Sequence, residues 1–199
     1  MLGTENKERY EVFLALIQYA AKAGKLNLLH SSMKSFDPAI WGLDLEETRA
    51  VYKLLAQATQ DSDSVAMKAT SQSYVLKLLS TYENDTNGNI GEAKDAAAKG
   101  IVGAIKTAVS SFTKNESLIQ FAAVKQLQGD STYGRLYDLL QVFSTGKVGD
   151  YIQFHEQHGA YLAEQGIDHD EALEAMRLLS MCSLAAEHEE IPYAIVSAN

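Results

Sequence analysis

A chain of 199 residues with 46% apolar and 22% charged residues has a globular balance, enough for one sizeable core or a row of helix pairs sharing one. Its 26 acids against 17 bases give a formal net charge of −9, and no lysine or arginine run is interleaved with aromatics, which argues against a primary nucleic-acid binder and against a basic membrane-surface helix. Cys182, the single cysteine, excludes an intrachain disulfide and a thiolate zinc cluster, while the start MLGTENKERYEV lacks a signal pattern and no apolar segment approaches a membrane span, so a cytoplasmic protein is expected.

With prolines only at 38 and 192, most of the chain lacks helix breakers. Tyr10, Phe13, Leu14, Ile17 and Ala21 recur at helical spacing, and Gly24 offers a left-handed stop. Leu26 to Met33 reads as a further short helix, broken by Ser35, Asp37 and Pro38. Asp44 and Glu47 have the spacing of a capping box and predict a helix lined by Leu45, Thr48, Tyr52 and Leu55. Val65, Ala69, Val75, Leu76, Leu79 and Tyr82 form the next stripe, closed by the turn-forming run Asn84 to Asn89.

Ile90, Ala93, Ala97, Ile101, Ile105, Ala108 and Phe112 keep helical spacing over about six turns, roughly 33 Å, in a stretch whose alanines permit close packing. Asn115 is placed to cap a segment that turns Leu118, Phe121 and Ala122 inward, and Gly129-Asp130-Ser131 opens a helix burying Tyr133, Leu136, Tyr137, Leu140 and Phe143. After Gly146, Val148, Tyr151, Ile152 and His155 begin an antiparallel partner that Gly159 is expected to close. Asp168 and Glu171 then cap a helix carrying Leu173, Met176, Leu178, Leu179, Met181, Cys182, Leu184 and Ala185. Its apolar residues run all round, which predicts burial on more than one side. Strand alternation is confined to Ile191 to Ser197.

The candidates for chemistry are weak. His155-Glu156-Gln157-His158 spaces its histidines three apart where a zinc hydrolase helix needs four, so His155 reads as packing at a helix edge and His158 as a residue of the last turn; His188 reads likewise, and His169 as exposed in a capping turn. As a calcium loop, Glu83 to Lys94 places Asp85, Asn87, Gly88 and Ile90 suitably but puts Lys94 where a bidentate carboxylate is required. Asp61 and Asp63 read as caps in a Ser-rich turn, Gly100 and Gly103 as helix-contact glycines, and Cys182 as a core thiol. No catalytic, cofactor or metal residue is assigned. The structural core is expected from Phe13, Ile17, Leu55, Leu79, Ile105, Leu136, Leu140, Tyr151, Met176 and Leu179.

The stretches Arg135-Leu-Tyr-Asp-Leu-Leu-Gln-Val-Phe, Tyr151-Ile-Gln-Phe-His and Glu174-Ala-Met-Arg-Leu-Leu-Ser-Met-Cys-Ser-Leu-Ala are similar, in order and spacing, to the PCI domain. That family is shared by the proteasome lid, the signalosome and translation initiation factor 3, and the likeness here is strongest to the initiation-factor branch. Arg9-Tyr-Glu-Val-Phe-Leu-Ala-Leu-Ile and Leu78-Leu-Ser-Thr-Tyr also fit it. The resemblance implies an all-α fold, a right-handed superhelical stack of antiparallel helix pairs, with helical repeats over residues 1–130 and the helical part of a PCI domain over 131–199, the following winged helix being truncated. It further implies a non-enzymatic scaffold without cofactor or metal, whose partners are the other subunits of a multi-subunit complex and, through them, the small ribosomal subunit. Direct nucleic-acid binding is not expected. A subunit of the signalosome or proteasome lid, or a free-standing helical-repeat adaptor, is the alternative.

Overall fold

The computed structural model describes residues 3–60, 65–83, 89–107, 118–145 and 147–187. Among them every regular element is helical, and the chain divides into two compact units, Met1–Asn84 and Asp85–Asn199. Residue 130, where the sequence suggested a division, lies inside the second unit.

In the first unit, α1 (Gly3–Lys22) ends where Gly24 adopts φ +65°, a left-handed conformation in which the glycine escapes the Cβ penalty. Tyr10, Phe13, Ile17 and Ala20 form its buried face. A 3-10 turn (Leu26–Leu29) runs into the short α2 (His30–Lys34), and together they bury Leu26 and Met33. α3 (Leu45–Gln60) opens on the expected reciprocal cap: the Glu47 amide donates to Asp44 Oδ1 at 2.8 Å, and the Asp44 amide donates to Glu47 Oε2 at 3.1 Å. Leu45 does not join its inner face, being 47% exposed, because the buried stripe is rotated onto Val51, Leu55, Ala58 and Thr59.

α4 (Val65–Ser80) packs against α3 and buries Tyr74, Val75, Leu78 and Leu79. Small residues let the two helices approach closely, so the Ser71 hydroxyl reaches across to the Ala56 carbonyl at 2.7 Å. Arg49 of α3 clamps the far end. Its Nε donates to Thr81 Oγ1 at 3.1 Å and its guanidinium to the Thr81 carbonyl at 2.9 Å, while the same group covers the Tyr82 ring at 3.8 Å.

The second unit starts with a 3-10 turn (Asn89–Ala93) leading into α5 (Lys94–Lys106). This corrects the reading of one helix over about six turns: the first turn is 3-10, and the α-helix ends at Lys106 with Thr107 as its cap, the Thr107 hydroxyl back-bonding to the Gly103 carbonyl at 2.8 Å. The short α6 (Ala122–Lys125) buries Ala123 and Val124, with Leu127 just beyond; Phe121 and Ala122, expected inward, are half-buried. Asp130 accepts the amides of Thr132 and Tyr133 at 2.9 and 3.0 Å and closes the turn ahead of α7 (Gly134–Thr145).

α7 and α8 (Val148–Glu164) are joined by a short connection and pack together, as do α8 and α9 (His169–Glu187). Gly159 does not end α8, contrary to expectation. It sits mid-helix, where a Cβ would lie 3.1 Å from His155 Nε2, so its small size makes room for that ring; Gly166, at φ +69°, makes the stop instead. The Glu171 amide donates to Asp168 Oδ1 at 3.0 Å, capping α9 as predicted.

Ile105, Leu136, Leu140, Tyr151, Met176 and Leu179 are buried in this unit, and Phe13, Ile17, Leu55 and Leu79 in the first. α9 departs from its reading as a helix enclosed on several sides. It buries Ala172, Ala175, Met176 and Leu179, but Leu178 and Met181 are 43% and 39% exposed and Cys182 is exposed, not core. The turn cluster 84–88, the caps Asp61, Asp63 and Asn115, the helix continuation through Ala108 and Phe112, Gly146, His188 and the segment Ile191 to Ser197 lie outside the described residues.

Candidate interaction surfaces

Two histidines, His155 and His169, gather around one buried tyrosine. Tyr151 is enclosed between Phe143, edge-on with ring centroids 5.8 Å apart, and His169, stacked at 5.8 Å, and its hydroxyl lies 3.3 Å from His169 Nδ1. Burial pushes the Tyr151 phenol up to about 12, with the charges of Asp168 and Asp170 adding to it. His155 stacks on His169 at 3.8 Å, and His158 meets Phe154 edge-on at 4.8 Å. Rings stacked face to face hold their nitrogens side by side instead of converging on one point, and no group of three or more metal-ligating side chains occurs among the described residues. The cluster is thus an aromatic corner that fixes the turn from α8 to α9, using residues that the sequence reading placed separately.

One lysine of α5 likewise has a structural role. Lys94 pairs with Asp130 at 2.7 Å, which with the two amides holds the Asp130 carboxyl down at about 2, far below its ordinary range; the Lys94 hydrogen bond is the largest cause. Lys99 and Lys106 are exposed but fall on another side of the helix by register, so Lys94, Lys99 and Lys106 form no common positive patch.

Apolar side chains are also exposed in each unit. In the first unit, Val12, Leu16 and Tyr19 are exposed along α1, and Val12 and Leu16 flank an open groove of about 570 Å³ whose floor is the Phe13 and Trp41 rings. Phe36 stacks beneath Phe13 at 4.9 Å, and the Arg9 guanidinium stands 5.5 Å from the Trp41 ring. In the second unit, the end of α5 and the first half of α9 enclose a groove of about 390 Å³. Ile105, Ile167, Ala172, Ala175 and Leu178 make its apolar surface; Asp168, Glu171 and Glu174 stand at its rim, with Lys106 as the one base among the described residues. The helical reading named Leu178, Met181 and Cys182 but assigned them to a core, and it singled out neither Trp41 nor Ile167, Ala172 and Ala175.

These features define a class: a protein whose described residues form two units of packed helices, each offering apolar helix faces for contact. No helix of the described residues is long and apolar enough to cross a membrane. The chain is similar to eukaryotic translation initiation factor 3 subunit M. It is 24% identical to that protein of Dictyostelium discoideum over 97% of this chain and 47% of the relative, and 28% identical to that of Nematostella vectensis over 96% and 48%. With the Xenopus laevis protein it shares 29% identity over 93% of this chain and 47% of the relative. The chain therefore spans about half the length of the curated relatives it matches. No protein-family model matches it.

Proposed function

We propose that the chain works as a non-catalytic scaffold subunit of translation initiation factor 3, acting in the cytoplasm and holding neighbouring subunits together during initiation of protein synthesis. The observation that carries this reading is the likeness to subunit M over 93–97% of the chain in relatives from an amoeba, a sea anemone and a frog. The exposed apolar faces of α1 and α9 support it, since a subunit in a large assembly needs contact surface beyond its own core. On this reading residues 131–199 supply the helical part of a PCI domain wound in the right-handed sense, and the ribosome is reached through sister subunits, without direct RNA binding.

The test is affinity purification of the tagged full-length protein with its partners identified and quantified. Initiation factor 3 subunits in near-equal amounts, with the small ribosomal subunit alongside, are expected. Recovery of signalosome or proteasome-lid subunits in their place, or of one peptide-bearing client without ribosomal subunits, would overturn the proposal.

A further inference from the structure

The acidic groove between α5 and α9 has a shape and charge that select one kind of occupant. By helical register, Glu171, Glu174, Leu178, Met181, Cys182 and Ala185 follow one another on a single face of α9, beside the buried face and not part of it. The first half of that face borders the groove, where Ile105, Ile167 and Ala175 lie beneath the side chains. Its second half continues as the exposed apolar strip of Leu178, Met181 and Cys182. From Glu171 to Ala185 the face is about 20 Å long at 1.5 Å per residue, close to four turns. This matches an occupant that is itself a helix laid along the groove, anchored by apolar residues three and four apart.

Charge settles which helix. Among the described residues Asp168, Glu171 and Glu174 outnumber Lys106 at the groove, although Asp168 spends part of its charge capping α9 and Arg177, three residues after Glu174, borders the strip on the side away from the groove. An acidic helix would meet like charges on a desolvating surface, whereas lysines or arginines flanking an apolar stripe would pair with Glu171 and Glu174 at the rim. We propose that this face docks a basic amphipathic helix of a partner protein, its apolar residues against Ala175, Leu178 and Met181 and its basic residues toward Glu171 and Glu174. The inference rests on the scaffold reading above and names the chemistry of one partner.

The purified chain can be titrated directly with a labelled synthetic helix of about five turns, roughly 18 residues, carrying leucines three and four apart among lysines. The same peptide with glutamates for lysines, and one with the leucines replaced by serine, serve as controls. Saturable binding at physiological salt is expected for the first peptide alone. The double variant Glu171→Lys, Glu174→Lys and the single variant Leu178→Ser, each at exposed positions, should each weaken it at least about tenfold. Glu11→Lys with Asp138→Lys makes the same change in net charge at exposed sites elsewhere and should leave affinity within about twofold.

Equal weakening by both charge pairs would mean diffuse attraction to an acidic protein and would overturn the proposal. So would unchanged binding by Leu178→Ser, or sedimentation showing that the strip is covered by a second copy of the chain. Because the titration uses the chain alone, its failure leaves membership in the initiation-factor complex standing. Failure of the purification experiment with the titration positive would remove the complex and keep the groove.

Discussion

Single side chains in this protein are held by partners far from them in sequence, and their substitution separates packing from polarity. Tyr74 is 2% exposed and its ring faces Tyr52 at 6.4 Å, yet its hydroxyl is buried without a hydrogen-bond partner. A buried unmade hydrogen bond costs about 1–3 kcal/mol, so Tyr74→Phe should raise the denaturation midpoint of the chain. A lower midpoint would show that the hydroxyl is satisfied after all. Gly166 tells the opposite story. Its φ of +69° favours a residue without a Cβ, and Gly166→Ala should cost about 1–2 kcal/mol, read as a drop in thermal stability with helix content unchanged. Gly159 looks equivalent in sequence, but it lies inside α8 under the His155 ring. Neither glycine's role follows from the residues next to it.

Among the helices, spacing named most of the buried face of α1 and α7, missed the rotation of the stripe in α3 and the extent of α5, and could not choose a side for α9. The apolar spacing of α1 and α7 named their buried faces, because an amphipathic stripe has one side that water disfavours. The capping pairs Asp44 with Glu47 and Asp168 with Glu171 also marked true helix starts, since a cap needs only atoms within four residues of one another. α9 offered no such asymmetry, and its covered side was chosen by the helices it meets. Leu179 is 6% exposed, on the covered side, while Leu178 is 43% exposed on the open one. Leu179→Ala should therefore destabilise by about 2–5 kcal/mol, whereas Leu178→Ala should cost well under that. Chemical denaturation of both variants checks the pair, and equal losses would mean that the strip is not open.

For the whole molecule, pH probes stability from both ends. Asp130 titrates at about 2 in the folded chain against an ordinary 3.8, so as pH falls through that window the unfolded chain takes up its proton first and stability is lost. Thermal midpoints should fall between pH 4 and 2, the drop being shallower in Asp130→Asn. At the alkaline end, Tyr74 and Tyr151 are both raised from 10.0 to about 12. There the unfolded chain releases its protons first, so stability present below pH 10 should decline toward pH 12, less steeply in Tyr151→Phe. The excess of acids also bears on RNA. With a net charge of −9 and Lys94 committed to Asp130, affinity for structured RNA at physiological salt should be weaker than about 10⁻⁶ M; tighter saturable binding in a titration would contradict the indirect route to the ribosome.

Helix positions, their caps and the faces of the amphipathic ones were legible along the chain because the forces that set them act between residues three and four apart. The same locality explains the likeness to the PCI pattern, which is a series of such helical spacings in order. Three features were not legible: which glycine stops α8, which side of α9 is covered, and where Lys94 spends its charge. The last two depend on residues distant in sequence, the pairing of Lys94 with Asp130 spanning 36 positions, while the contact of Gly159 with His155, four residues back, carries no signature in spacing. The groove beside α9 belongs with them. Its apolar floor joins Ile105 to Ile167 and Ala175, and no periodicity within either helix can say that the two would meet.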